Sequence, residues 1–178
     1  YLSFTQRGAL TYSAFLYAYA VIPMIEFALK NDERNLSEFA ESLAKKNIAY
    51  DLVLYVSVVL HLVLLSLFIF SLKDTTLQTY EVIGRVLSMG LVTTFAINLA
   101  HELGHRQTRG EQFMSKLMLL TTLMMHFFIE HNRGHHKNVA TFEDPSTARK
   151  GETVYAFWFR AILNEYISAW QIEKKRLE

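Results

Sequence analysis

The chain has no cysteine. That removes disulfides, thiolate metal sites and cysteine nucleophiles together, so any metal must be held by nitrogen and oxygen. It has two prolines and seven glycines in 178 residues, too few for a loop-rich fold. It also lacks a charge bias: 18 basic and 17 acidic residues leave no nucleic-acid signature.

Apolar residues fill the space that charge leaves, at 51% of the chain and a mean hydropathy of +0.14. They come in runs. Residues 52–72, "LVLYVSVVLHLVLLSLFIFSL", carry no formal charge and one histidine, His61. Such a run spans a hydrocarbon core of about 30 Å as a helix. Residues 8–29 carry one acid near their end, and "VLSMGLVTTFAINLA" at 86–100 extends both ways into a third segment. Three such segments predict an all-α integral membrane helical bundle, with a large soluble bundle as the alternative.

The pattern predicts helices over 8–29, 50–72, 81–105 and 113–129, and from Thr153 onward. Pro23 predicts a kink near 19–23. Phe39 and Leu43 suit a short amphipathic helix within 30–47. "RQTRGEQ" at 106–112 reads as a turn around Gly110. The last helix alternates aromatics with charges (Tyr155, Phe157, Trp158, Phe159, Arg160, Tyr166, Trp170), as helices at a membrane–water boundary do. Tyr12, Phe15, Tyr19 and Pro23 share a face that suits packing better than a substrate slot. Lys30, Arg34, Lys45 and Lys46 precede the second span, and only Lys73 lies between the second and third. Arg106, Arg109, Lys116, Arg133, Lys137, Arg149 and Lys150 follow the third. By the positive-inside rule, 30–49 and everything after His105 are cytoplasmic. Tyr1 opens the chain and the charged "IEKKRLE" closes it, so both ends read as cut and the chain as an incomplete single membrane domain.

Five of the seven histidines lie in "HELGHR" (101–106) and "EHNRGHH" (130–136). His101 and His105 are four apart and share a helix face, as two ligands of one metal must. His131 and His135 repeat that spacing, and His136 adds a third imidazole. Neighbours on a helix diverge by about 100°, so His135 and His136 face two ions or one is a bystander. Burying five unpaired imidazoles is costly, and metal ligation removes the cost. Imidazole alone does not select among zinc, copper, iron and nickel. "HExxH" is also the zinc-peptidase pattern, with Glu102 as general base. That reading leaves His131, His135 and His136 without a clear task, whereas a two-metal centre uses them.

"HELGHR", "EHNRGHH" and "VATFEDPSTAR", with "VIPMIE" near the end of the first helix, resemble the integral-membrane alkane 1-monooxygenases of the fatty acid desaturase–hydroxylase superfamily. The resemblance implies a non-haem di-iron centre that hydroxylates a terminal methyl with O2. Its electrons would come from a rubredoxin-type donor, and it would sit in a bacterial inner membrane. Carried over, the metal ligands are His101, His105, His131, His135 and His136. The family's third histidine box and a further histidine fall outside 1–178, so this chain by itself is expected to be inactive. Glu102, Glu130 and Asp144 are expected to orient ligands, and Asn98 to bond a ligand or water. His126, four residues before Glu130, reads as a hydrogen-bonded structural histidine, and His61 as a satisfied interhelical one. A desaturase or another hydroxylase, the zinc protease, and an inactive metal-binding chain remain alternatives.

One expectation is geometric. A helix over 113–129 would advance about 25 Å and carry the second box away from the first. If both boxes serve one site, either that segment does not span or the third helix protrudes far enough into the cytoplasm to meet the second box. The expectation is that 113–129 lies in or near the cytoplasmic interface, packed under the site.

Overall fold

A computed structural model describes residues 1–29, 34–44 and 47–178. Lys30, Lys45 and Lys46 of the basic count lie outside the described residues. Among those described there is no strand. The chain packs as two compact units, residues 1–96 and 97–178.

The first unit begins with α1 (Leu2–Thr5) and a 3-10 turn (Gly8–Tyr12). α2 (Ser13–Leu16), a π turn (Tyr17–Val21) and α3 (Ile22–Ala28) follow without interruption. Together 8–28 form a 21-residue rod long and apolar enough to cross a membrane. Pro23 sits in the first turn of α3 and has no N–H to give. The expected irregularity at 19–23 takes the form of a π turn, a wider turn that absorbs the missing bond. α4 (Glu38–Ala44) carries Phe39 and Leu43, both exposed.

α5 (Ile48–Ser71) is capped by Asn47, whose side chain accepts from the Ala49 amide at 3.0 Å. α6 (Thr79–Gly104) is the third candidate span. Many apolar side chains on these helices are exposed, as lipid-facing side chains would be. The unit's polar groups are concentrated where its N-terminal segment meets the 72–81 connection. Arg7 bridges Asp74 (2.9 Å) and Glu81 (3.1 Å). Arg85, itself buried, donates to the carbonyls of Ser71 (2.7 Å) and Gln6 (3.1 Å). His61 is buried within the unit.

The second unit is built from the end of α6, α7 (Arg109–Thr121), α8 (Met125–Glu130), a π turn (His131–His135), α9 (His136–Asn138) and α10 (Val154–Leu177). Ala100, Leu103, Met118 and Leu119 form its core, with Ala161 and Ala169 of α10. α10 keeps these small residues inward and exposes Tyr155, Trp158, Phe159, Tyr166 and Trp170.

Two sequence expectations change here. The turn at 106–112 is shorter, because α7 starts at Arg109 and takes Gly110 into its first turn. Thr108 caps it, accepting from the Glu111 amide (3.2 Å) while its hydroxyl donates to the Glu111 carboxylate (2.5 Å). The single helix expected over 113–129 is two helices. Leu123 takes a left-handed conformation (φ 58°), the Met124 amide bonds back to the Leu119 carbonyl (2.8 Å) and the Leu123 amide to Leu120 (3.2 Å). That is a Schellman C-cap with leucine in the place that glycine usually takes. Thr121 and Thr122 satisfy the Met118 and Leu119 carbonyls with their hydroxyls. The chain turns there, and the second box comes back to the first.

Candidate metal centre

The first box lies on the last turn of α6, and α7 packs tightly over it. A Cβ at Gly104 would stand 3.1 Å from Ser115 Oγ and 3.7 Å from the Phe128 ring. Ser115 Oγ donates to the Ala100 carbonyl at 2.6 Å. The glycine of "HELGH" is therefore a close-approach residue, which lets α7 cover the helix that carries His101 and His105.

The second box does not keep an α-helical period. The wider π turn over 131–135 brings residues five apart onto one face, so His131 is paired with His136 rather than with His135. The expected i,i+4 pair of His131 and His135 is thus replaced. The glycine here is also a packing residue: a Cβ at Gly134 would lie 2.2 Å from Glu130 Oε1 and 3.1 Å from Ile172 Cδ1.

His101, His105, His131 and His136 converge, their ligand atoms all within 4.8 Å of one another. His105 Nε2 lies 3.0 Å from His101 Nε2 and 3.2 Å from His131 Nε2. His136 Nε2 lies 3.1 Å from His131 Nε2. Two nitrogens bound to one first-row cation at about 2.1 Å stand about 3.0 Å apart at a right angle and about 3.4 Å at the tetrahedral angle. These three spacings fall in that interval, and the remaining pairs lie within 4.8 Å, so the four nitrogens are a donor set that a small inward adjustment would fit to a cation. Burial and then the neighbouring imidazoles lower the His131 pKa to about 4, and His105 is lowered for the same reasons. Both are thereby held in the neutral form that a metal requires. The Phe127 ring stacks on His131 at 4.7 Å and fixes its plane.

His135 is turned out of the four-nitrogen set. Its Nδ1–H donates to Asp144 Oδ2 at 2.9 Å, leaving Nε2 as the free ligand atom. Its ring stays 5.3 Å from His131 and 5.7 Å from His136. Burial would raise the Asp144 carboxyl, but bonds from the Thr147 hydroxyl, the Ser146 amide and His135 outweigh it and hold the pKa below the ordinary range. Asp144 is therefore an ionised, wholly buried hydrogen-bond partner of His135.

The other expected residues lie elsewhere. Glu102 faces Arg106 (3.1 Å), with its side chain 53% exposed. Asn98 is exposed, about one turn before His101. Glu130 is buried beneath Gly134 and accepts from Ser168 Oγ at 3.3 Å. Burial first, then the neighbouring Glu165, raises its pKa. His126 is not the hydrogen-bonded histidine expected. It packs edge-on against Tyr166, and its buried Nε2 has no hydrogen-bond partner among the described residues. Arg106 and Arg133 are paired with Glu102 and Glu173. Sequence reasoning passed over Phe127 and the Thr147–Ser146 cradle of Asp144. Their one signal was position, four residues before a ligand and within the "EDPST" stretch.

Residues 80–178 match the family model described as fatty acid desaturase. The chain is 35% identical over 159 residues to alkane 1-monooxygenase 1 of Alcanivorax borkumensis, covering 89% of this chain and 39% of that protein. It is equally similar, 35% over 159 residues, to the alkane 1-monooxygenase of Pseudomonas putida, covering 89% and 40%. Against the alkane 1-monooxygenase of Acinetobacter baylyi it is 41% identical over 111 residues, 62% of this chain and 27% of that one. The chain thus spans about two fifths of the length of the first two relatives.

Proposed function

This chain belongs to the fatty acid desaturase family, and from that premise we propose that it carries part of the non-haem di-iron centre of an alkane 1-monooxygenase. The enzyme would insert one oxygen of O2 into a terminal methyl of a hydrocarbon. The observation that carries this reading is the convergence of four Nε2 atoms from two boxes 26 residues apart.

An alkane C–H bond has no polar handle, so acid–base and nucleophilic side chains have nothing to act on. Bound iron supplies the oxygen activation and hydrogen abstraction that side chains lack. The residues of this chain supply the rest. His101, His105, His131 and His136 present one set of nitrogens. His135, held by Asp144 through Nδ1, would offer its Nε2 to a second iron in this reading. Phe127 and Gly134 keep the second box rigid. Glu102, Glu130 and Asn98 remain proposed outer residues, with Glu130 supporting the box from below.

In the proposed arrangement both boxes sit on the cytoplasmic face of a bacterial inner membrane, with α10 along the interface. A rubredoxin-type donor would approach near Arg109 and Lys137, the exposed cations flanking the boxes. Residues 1–178 act there as one membrane domain. The zinc-peptidase reading is less well supported, because Glu102 is tied to Arg106 instead of lying over the cluster.

Mössbauer spectra of the whole 57Fe-loaded enzyme, of which this chain would carry part of the centre, test the reading in lipid nanodiscs. Coupled iron pairs are expected, and a single uncoupled iron would sink the di-iron reading. Conversion of a medium-chain alkane to its 1-alkanol, with O2 and a reduced rubredoxin, tests the reaction in the iron-loaded enzyme. Reporter tags at 106–112 and 138–150 test the topology, since accessibility on opposite sides of the membrane would break the shared site.

A further inference from the structure

The loop between α9 and α10 concentrates its polar bonding on one side chain. Arg160, near the start of α10, forks onto Glu152: Nε donates to Oε1 (2.6 Å) and a terminal nitrogen to Oε2 (2.8 Å). Its terminal nitrogens also donate to the carbonyls of Pro145 (2.9 Å) and Thr147 (3.0 Å). The Arg160 and Glu152 side chains are only 15% and 11% exposed. The two carbonyls bracket the groups that hold Asp144, namely the Ser146 amide (2.9 Å) and the Thr147 hydroxyl (2.5 Å). Ser146 Oγ adds a second tie to α10, donating to Glu165 at 2.7 Å. Asp144 in turn accepts from His135 Nδ1.

We propose that Arg160 is a positioning residue for the histidine centre: by clamping residues 145–152 onto α10 it holds Asp144 where it fixes the ring of His135. The proposal rests on the metal-binding reading above and adds to it a residue that touches neither ligand nor metal. The reason for arginine is geometric. Four bonds in three directions need the planar guanidinium fork with its five donors, and an ammonium is a point donor that cannot reproduce them. A ligand's orienting partner is only as well placed as its own support, and here the support is a loop without secondary structure of its own. Without the clamp Asp144 would follow the loop, and the imidazole would be free to exchange its proton between nitrogens.

The alternative is that Arg160 anchors the loop for folding alone. Histidine-selective 15N NMR of the metal-free chain in nanodiscs separates the two. In the native chain His135 is expected as the Nδ1–H tautomer. Arg160→Ala should convert it to a mixture of both tautomers, and Arg160→Lys should restore less than half of the native population. Arg176→Ala, which removes another paired arginine of α10, should leave it unchanged. An unchanged His135 tautomer in Arg160→Ala overturns the proposal. If that variant does not fold by circular dichroism, Glu152→Gln loosens one end of the clamp while leaving the carbonyl bonds. Partial mixing is then expected, and an unmixed ring overturns the proposal.

Co(II) titration gives a second readout. Asp144→Asn should weaken binding about 10–100-fold, as loss of an orienting partner does. Arg160→Ala should weaken it about tenfold, and the double variant should lie within about twofold of Asp144→Asn. Losses that multiply would mean that Arg160 does not act through Asp144, which overturns the proposal. A native chain that binds no Co(II) would defeat the metal reading, and the His135 tautomer would still decide the role of Arg160.

Discussion

Among the described residues each of the two units contains one π turn, and the two turns serve different ends. In residues 1–96 the turn at 17–21 lies just ahead of Pro23, which cannot supply an amide to an α-helical bond. The turn accommodates a backbone fault, and the helix continues as an apolar rod. In residues 97–178 the turn at 131–135 has no proline near it, since the nearest is Pro145. There the changed period swings His136 onto the face of His131 and sends His135 to Asp144. One geometry is tolerated for the sake of a span, and the other sets which imidazoles meet. The same contrast holds for side chains. The first unit is defined by exposed apolar helices joined by a few polar ties at one end. In the second, the carboxylates near the boxes are tied to named partners: Glu102 to Arg106, Glu130 to Ser168 and Asp144 to His135.

The largest effect that would sharpen this contrast is expected from His131→Ala. His131 lies between His105 and His136 and packs against all four other box histidines. Its removal should weaken metal binding by more than about 100-fold, beyond what loss of an orienting partner does, read as metal content after dialysis. Retained metal would mean that the cluster is not the binding site.

Glycines give the next comparison. Gly134→Ala drives a Cβ to 2.2 Å from Glu130 Oε1 and should cost about 1–3 kcal/mol, measured by chemical denaturation of the second unit. Gly90→Ala, on α6 with nothing within 4 Å, should stabilise the first unit by about 0.5–1 kcal/mol. Equal effects at the two sites would erase the distinction.

Acidification should also act on one unit first. The folded His131 pKa of about 4 lies below the 6.5 of an unperturbed imidazole. The unfolded chain therefore takes up the proton first. The contribution of this group is intact above about pH 6.5 and drains away as the pH falls toward 4. Glu152, held to about 2 chiefly by Arg160, adds a second loss between about 4.5 and 2. Hydrogen exchange of the metal-free protein should show amides of 97–178 losing protection between pH 6.5 and 4 before those of 1–96. The opposite order would contradict the placement of His131.

An effect as small as that of Gly90→Ala is expected at the C-cap of α7. Leu123 is 86% exposed and holds φ 58° at some conformational cost. Leu123→Gly should raise stability by about 1 kcal/mol, since glycine adopts that conformation freely. A loss would mean that the leucine side chain does more than occupy the cap.

Much of the architecture was legible because it depends on composition and period. The three apolar segments, the short helix bearing Phe39 and Leu43, and the amphipathic α10 follow from where apolar residues fall along the chain. The pooling of two histidine boxes into one site was legible too, since so many imidazoles in an apolar chain need a common use. The break at 122–124 was not, because a leucine stands where glycine would have announced it. The "TRGE" stretch carried a capping box, Thr108 to Glu111, hidden behind the turn preference of Gly110. His126 misled for a similar reason: spacing to Glu130 suggested a bond, but the carboxyl is turned to Ser168.

The sequence alone determined the ligand chemistry. Without cysteine only nitrogen and oxygen donors remain, and five histidines in two short stretches are the candidate donors. It also determined three helices able to span a bilayer, because length and hydropathy are local sums. The tertiary structure decided which nitrogens face one another. The π turn, the left-handed Leu123 and the Arg160 clamp each depend on partners distant in sequence or on a backbone state that no single residue type specifies. A local pattern can say that His131, His135 and His136 are available. Only the packing of α7, α8 and α10 settles that His136 joins the cluster while His135 is held apart by Asp144.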